Sequence, residues 1–139
     1  THPLPYKDLI FEDTFEVVKG LFEKGYRLGL ASSSTKHDIL KALEETNLKD
    51  YFSVILSGEE FEKGKPHPAI YQEARRQLGF SNAETLVIED SEKGIQAGVS
   101  ADLTVWAIED NLFDMNQRKA SRLVKNLTQI VEILEEKTY

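Results

Sequence analysis

Along this chain, short apolar runs alternate with stretches in which apolar residues return every third or fourth position. The runs read as strands: one over Tyr26–Ala31, one within Tyr51–Ser57 centred on Val54-Ile55-Leu56, one over Thr85–Ile88 and one over Thr104–Ile108. The periodic stretches read as amphipathic helices. Phe15, Val18, Leu21 and Phe22 share the face of a first helix that Gly25 stops. Thr35 caps a second, with Asp38 three residues on and Ile39, Leu40 and Leu43 on its apolar side. A third carries Ile70, Ala74 and Leu78, with Pro68 at its first turn and Gly79 at its end. In a fourth, Gly94, Ala97 and Gly98 make a small-residue face that lets the helix lie close to a sheet, at up to ~1 kcal/mol of propensity per glycine. Leu127, Ile130, Val131 and Leu134 form the stripe of a last helix.

Helix and strand therefore alternate throughout. Short apolar strands between amphipathic helices predict an α/β fold: a three-layer, Rossmann-like parallel sheet with helices on both faces. The Pro-rich residues 1–12 read as a linker, and residues 13–139 as a single core domain. No internal repeat or low-complexity tract interrupts it.

Composition narrows the partners. The chain has 139 residues, 40% hydrophobic and 29% charged, enough to bury a core. A net charge of −7 argues against a nucleic-acid surface, which needs clustered Lys and Arg. It does not oppose a small phosphorylated metabolite, because one local lysine and a metal outweigh the global field. With no cysteine, disulfides, thiolate metal sites and cysteine nucleophiles are excluded. No apolar run reaches the ~18 residues of a membrane span, and the N-terminus lacks a secretion pattern. The expectation is a cytoplasmic protein with no membrane contact.

Three short pieces carry the chemistry: Ala31-Ser32-Ser33-Ser34, Lys63-Gly64-Lys65-Pro66-His67-Pro68 and Val87-Ile88-Glu89-Asp90-Ser91. The outer two lie where a strand ends and a helix begins, which is where open α/β sheets collect ligands. Hydroxyls beside a helix N-terminus suit a phosphoryl group, although serines there also serve simply as loop and cap. Lys65, placed in extended backbone before a proline, can neutralise a phosphoryl oxygen. A lone lysine is also commonly just a solvated side chain. His67 reads as a helix-start residue. Glu89 and Asp90 end an apolar strand, where carboxylates need donors or a cation; magnesium accepts such oxygens. The alternative is N-capping by Asp90 or Ser91.

In order and spacing these motifs resemble the haloacid dehalogenase superfamily, most closely its β-phosphoglucomutase-like phosphatases, from about Phe15 to the C-terminus. The resemblance implies a magnesium-dependent phosphomonoester hydrolase or sugar-phosphate mutase. It makes Ser32 the phosphoryl-holding hydroxyl, Ser33 a backbone donor and Lys65 the catalytic cation. Asp90 would be a magnesium ligand, and Glu89 a ligand or a partner just outside the metal's ligands. The phosphoglycolate phosphatase type often carries an Asp where Gly94 stands. The superfamily's Asp-x-Asp-x-Thr motif, whose first Asp becomes the aspartyl phosphate, is not found; Asp13-Thr14 is only an echo. Nor is its substrate-reading cap domain found, so residues 1–12 would return from one. The missing motif ends a central strand between those ending at Ser32 and Glu89. The chain is therefore expected to be an inactive piece of a longer protein, its strand slot filled by an N-terminal segment or a second chain, or else closed up. Two other functions stay open: a receiver-like phosphate-sensing module, and an inactive fragment that serves as an assembly partner.

Overall fold

A computed structural model of the chain describes residues 14–109, 117 and 119–136. The expected linker over 1–12, and Asp13, lie outside the described residues. The elements run α1 (Thr14–Glu23), β1 (Leu28–Ser32), α2 (Lys36–Glu45), β2 (Phe52–Ser57), α3 (Ala69–Leu78), β3 (Leu86–Glu89), α4 (Glu92–Ser100), β4 (Thr104–Ile108), β5 (Arg122–Val124) and α5 (Leu127–Glu136). Every strand expected from the sequence is present, with ends within two residues of the expected ones.

The expected end signals act as read. The Thr35 side chain accepts from Asp38 N, and the Ser91 side chain from Gly94 N, so Ser91 rather than Asp90 caps α4. Gly79 ends α3 in the left-handed region at φ 85°, where a β-carbon would be strained. Pro68 stands one residue earlier than expected, as the N-cap of α3, and His67 Nδ1 accepts from Ala69 N at 3.2 Å. β5 was not foreseen. It is three residues long, too short for a periodic signal, and only Val124 of it is buried.

Side-chain alternation explains the layers. Val54 and Leu56 of β2, Val87 of β3, and Val105 and Ala107 of β4 join Ile70, Tyr71 and Ala74 of α3 and Ile95 and Ala97 of α4 in one core cluster. The intervening residues point the other way. Leu30 and Ile55 pack with Ile39 and Leu43 of α2, and Phe52 joins them because the ladder shifts register between it and Val54. Leu86, Ile88, Trp106 and Ile108 pack with Ile130 of α5. Both sheet faces are covered, which is why the strands are apolar without a break.

Parallel pairing joins β1 to β2, and β3 to β4 to β5. These form a two-stranded and a three-stranded sheet. Among the described residues no ladder links β1 to β3. The shared cluster under α3 and α4 holds the two sheets in one body. No helix among the described residues is long and apolar enough to cross a membrane.

Gly20 offers a test of the helix reading. It lies inside α1, and a β-carbon there would meet nothing within 4 Å. Gly20→Ala is expected to stabilise the protein by about 0.5–1 kcal/mol, from propensity alone. Urea denaturation reads this as a higher midpoint at unchanged slope; an unchanged midpoint contradicts it.

Candidate functional site

β1 ends at Ser32, whose Oγ accepts from Ser34 N at 3.1 Å. A hydroxyl that accepts can still donate, so Ser32 keeps a proton to offer an anion. Ser33 beside it is exposed. The loop is fixed from behind by the end of β2. Fully buried Ser57 donates to Ser34 O at 2.6 Å. A β-carbon on Gly58 would stand 3.3 Å from Ser33 Cα. One expectation is corrected here. The start of α2 does not present a set of open amides, because Lys36 N is bound to Glu59 Oε1 at 2.7 Å and Asp38 N to Thr35 Oγ1 at 3.1 Å. The protein's own oxygens consume those donors.

Lys65 lies in a tight turn, closed by His67 N donating to Gly64 O at 2.9 Å across a cis Lys65–Pro66 bond. The turn sends the ammonium inward. Lys65 Nζ donates to Ala31 O at 3.2 Å and to Glu89 Oε2 at 2.5 Å. It thus spans the ends of β1 and β3, two strands that share no ladder. The solvated-lysine alternative fails, since the Lys65 and Glu89 side chains are only 10% and 8% exposed.

A buried ion pair survives only when the remaining lone pairs and protons find partners. Glu89 has them. The Tyr71 phenol donates to its Oε2, and Ser91 Oγ lies 3.4 Å from Oε1. The Lys65 ammonium also stands 5.0 Å from the centre of the Tyr71 ring, a cation–π contact. Burial, then the neighbouring Glu89 charge, hold the Tyr71 phenol well above its ordinary pKa, so it remains a donor. Gly94 makes the arrangement possible. A β-carbon there would lie 2.0 Å from Glu89 Cδ.

Asp90 follows at an exposed position, and its carbonyl accepts from Gln117 Nε2 at 2.9 Å. Gln117 also donates to Ile108 O at 2.7 Å, tying the end of β3 to the end of β4. Asp90 and Glu89 are hard oxygen donors of the kind magnesium takes. Glu89 is engaged by Lys65 and Tyr71, and Asp90 is exposed at the strand end. No group of three or more His, Asp or Glu that could hold a metal occurs among the described residues. These side chains fit part of a magnesium site, to be completed by phosphate, water or further oxygens.

Lys65 touches the end of β1 and Glu89 directly, and Ser32 and Asp90 are the next residues along those strands. Three contributors were not read from the sequence. Tyr71 did leave a signal, an aromatic hydroxyl three residues before Ala74 on an apolar helix face that begins just after the lysine turn. Ser57 and Gln117 left none, because their partners are backbone carbonyls distant in sequence.

Comparison with known proteins gives a consistent answer. Residues 7–108 match the family model described as haloacid dehalogenase-like hydrolase. The chain is 26% identical over 127 residues to pyrophosphatase PpaX of Oceanobacillus iheyensis, covering 89% of this chain and 59% of that protein. It is similar in structure to a Thermotoga maritima protein assigned as a β-phosphoglucomutase, with a TM-score of 0.81 and 28% identity over 91% of this chain and 60% of that one. A HAD family hydrolase from Deinococcus radiodurans, solved with bound phosphate and sodium, gives a TM-score of 0.81 and 26% identity, covering 91% and 59%. The chain spans about 60% of the length of these relatives.

Proposed function

The chain belongs to the haloacid dehalogenase-like hydrolase family, and from that membership we propose that it is the larger part of a magnesium-dependent phosphoryl-transfer enzyme. Its substrate class is a small phosphate ester or pyrophosphate. Membership displaces the receiver-like reading. The observation that carries the proposal is the Lys65 ammonium, held between Ala31 O and Glu89 beside the hydroxyl-bearing end of β1 and the acidic end of β3.

The roles follow from that placement. The Ser32 hydroxyl and the Ser33 backbone N–H donate to the phosphoryl oxygens. Lys65 contributes a fixed positive charge beside them, already desolvated and so strong at short range. Glu89 holds that charge in place. Asp90, with Glu89 close behind it, would hold Mg2+; when bound, the ion offsets phosphoryl charge and orients the transferred group. The nucleophilic aspartate belongs to a segment outside this chain, which supplies a strand between β1 and β3. An N-terminal segment of a longer chain is the first candidate, and a second chain the other. The proposal includes a cytoplasmic setting and no nucleic-acid or membrane partner.

Metal removal tests this. The full-length protein is expected to hydrolyse p-nitrophenyl phosphate or pyrophosphate in Mg2+, to stop on chelation and to recover when Mg2+ is restored. Residues 1–139 alone are expected to show no turnover. Turnover undiminished by chelator, or robust turnover by the isolated chain, contradicts the proposal.

A further inference from the structure

We propose that Tyr71 is a positioning residue that fixes both members of the Lys65–Glu89 pair, through its hydroxyl and its ring, and so sets where the Lys65 charge meets the substrate. The inference rests on the phosphoryl-transfer reading above and names a residue that reading does not require.

Three observations carry it. The phenol donates to Glu89 Oε2, the same oxygen that receives the Lys65 ammonium. The ring presents its π-system to that ammonium at 5.0 Å. Tyr71 is itself 8% exposed and packed in the main core cluster with Ile70 and Ala74, so its ring has little freedom to move. One rigid side chain therefore touches both the anion and the cation.

The pair needs such a clamp. Lys65 comes from the turn between β2 and α3 and Glu89 from the end of β3, and β2 and β3 belong to sheets with no shared ladder among the described residues. Without the phenol, Glu89 Oε2 has a single strong donor, and its carboxylate gains freedom to turn toward the acidic end of the site. The ammonium would turn with it, away from the position beside Ser32. A charge that strays from the developing phosphoryl charge still binds substrate but stabilises the transition state less.

The test compares the full-length protein with its Tyr71→Phe and Tyr71→Leu variants. The substrate is p-nitrophenyl phosphate, with pyrophosphate as a second, in Mg2+. Tyr71→Phe keeps the ring and the packing but loses the bond to the carboxylate. It is expected to lower kcat about tenfold, the scale of one hydrogen bond to a charged group, with KM changed less than threefold and a melting temperature only a few degrees lower. Tyr71→Leu is expected to lower kcat further, because it also removes the cation–π contact. A second readout needs no substrate. A lysine-ammonium NMR spectrum should show the buried Lys65 Nζ protons in the parent, a weaker exchange-broadened signal in Tyr71→Phe, and loss of the ring-shifted position in Tyr71→Leu. A Tyr71→Phe kcat within twofold of the parent, or an unchanged Lys65 ammonium signal, overturns the inference. Lys65→Ala and Asp90→Asn controls separate the two claims. Full turnover in those controls overturns the phosphoryl-transfer reading itself. Their inactivity beside a normal Tyr71→Phe overturns only the role of Tyr71.

Discussion

Replacing Lys65 with methionine is expected to cost the protein about 3–5 kcal/mol of stability and to abolish turnover. Methionine keeps most of the apolar stem, so packing is largely preserved and the loss is electrostatic. The Glu89 carboxylate, 8% exposed, would be left with Tyr71 as its one strong donor. Breaking a buried pair from one side costs far more than the pair itself contributes. Urea denaturation reads this as a lower midpoint at unchanged slope. Adding Glu89→Gln to the lysine variant should restore most of the stability and none of the activity. A lysine variant as stable as the parent at neutral pH would show that Glu89 has other adequate partners.

Gly94→Ala should destabilise the protein by about 2–4 kcal/mol, although propensity alone says the reverse. Alanine in a helix interior gains up to ~1 kcal/mol over glycine, and that gain is what Gly20→Ala should realise. At Gly94 the added carbon would stand 2.0 Å from Glu89 Cδ and 2.1 and 2.2 Å from its oxygens. No carboxylate can remain there. Once Glu89 swings out, the Lys65 ammonium and the Tyr71 phenol lose their shared acceptor, each at ~1–3 kcal/mol. Two such losses exceed the propensity gain. The check is a double-mutant cycle with Glu89→Ala. In that background the clash has no partner, so Gly94→Ala should become neutral or stabilising. Additive effects would mean that the glycine is small for some other reason.

Much of the architecture was readable because its signals are local. The fourth-residue recurrence of Ile70, Ala74 and Leu78, the Thr35 and Ser91 caps, and Gly79 after the last turn each act within a few residues. The small face of Gly94, Ala97 and Gly98 was readable too. Its cause is now visible, since a β-carbon on Gly98 would come within 2.6 Å of Val105 Cγ2. β5 escaped because three residues carry no period. That Lys36 N at the start of α2 is already taken escaped for a related reason. A serine-rich helix start announces free amides, but whether Glu59 reaches back across 23 residues to take one is not a local property.

For this chain, then, local sequence determined the order of elements, their caps and the residue types standing at strand ends. These depend on backbone dihedrals and side-chain period, which neighbours in the chain control. Tertiary structure alone decided that Lys65 pairs with Glu89, that Tyr71 clamps the two, that Gly94 leaves room for the carboxylate, and that β1 and β3 stay unladdered with Lys65 reaching across. Each of those facts joins groups brought together by burial of a common core, and a one-dimensional pattern of apolar and polar positions does not say which distant partners that burial will bring within a hydrogen bond of each other.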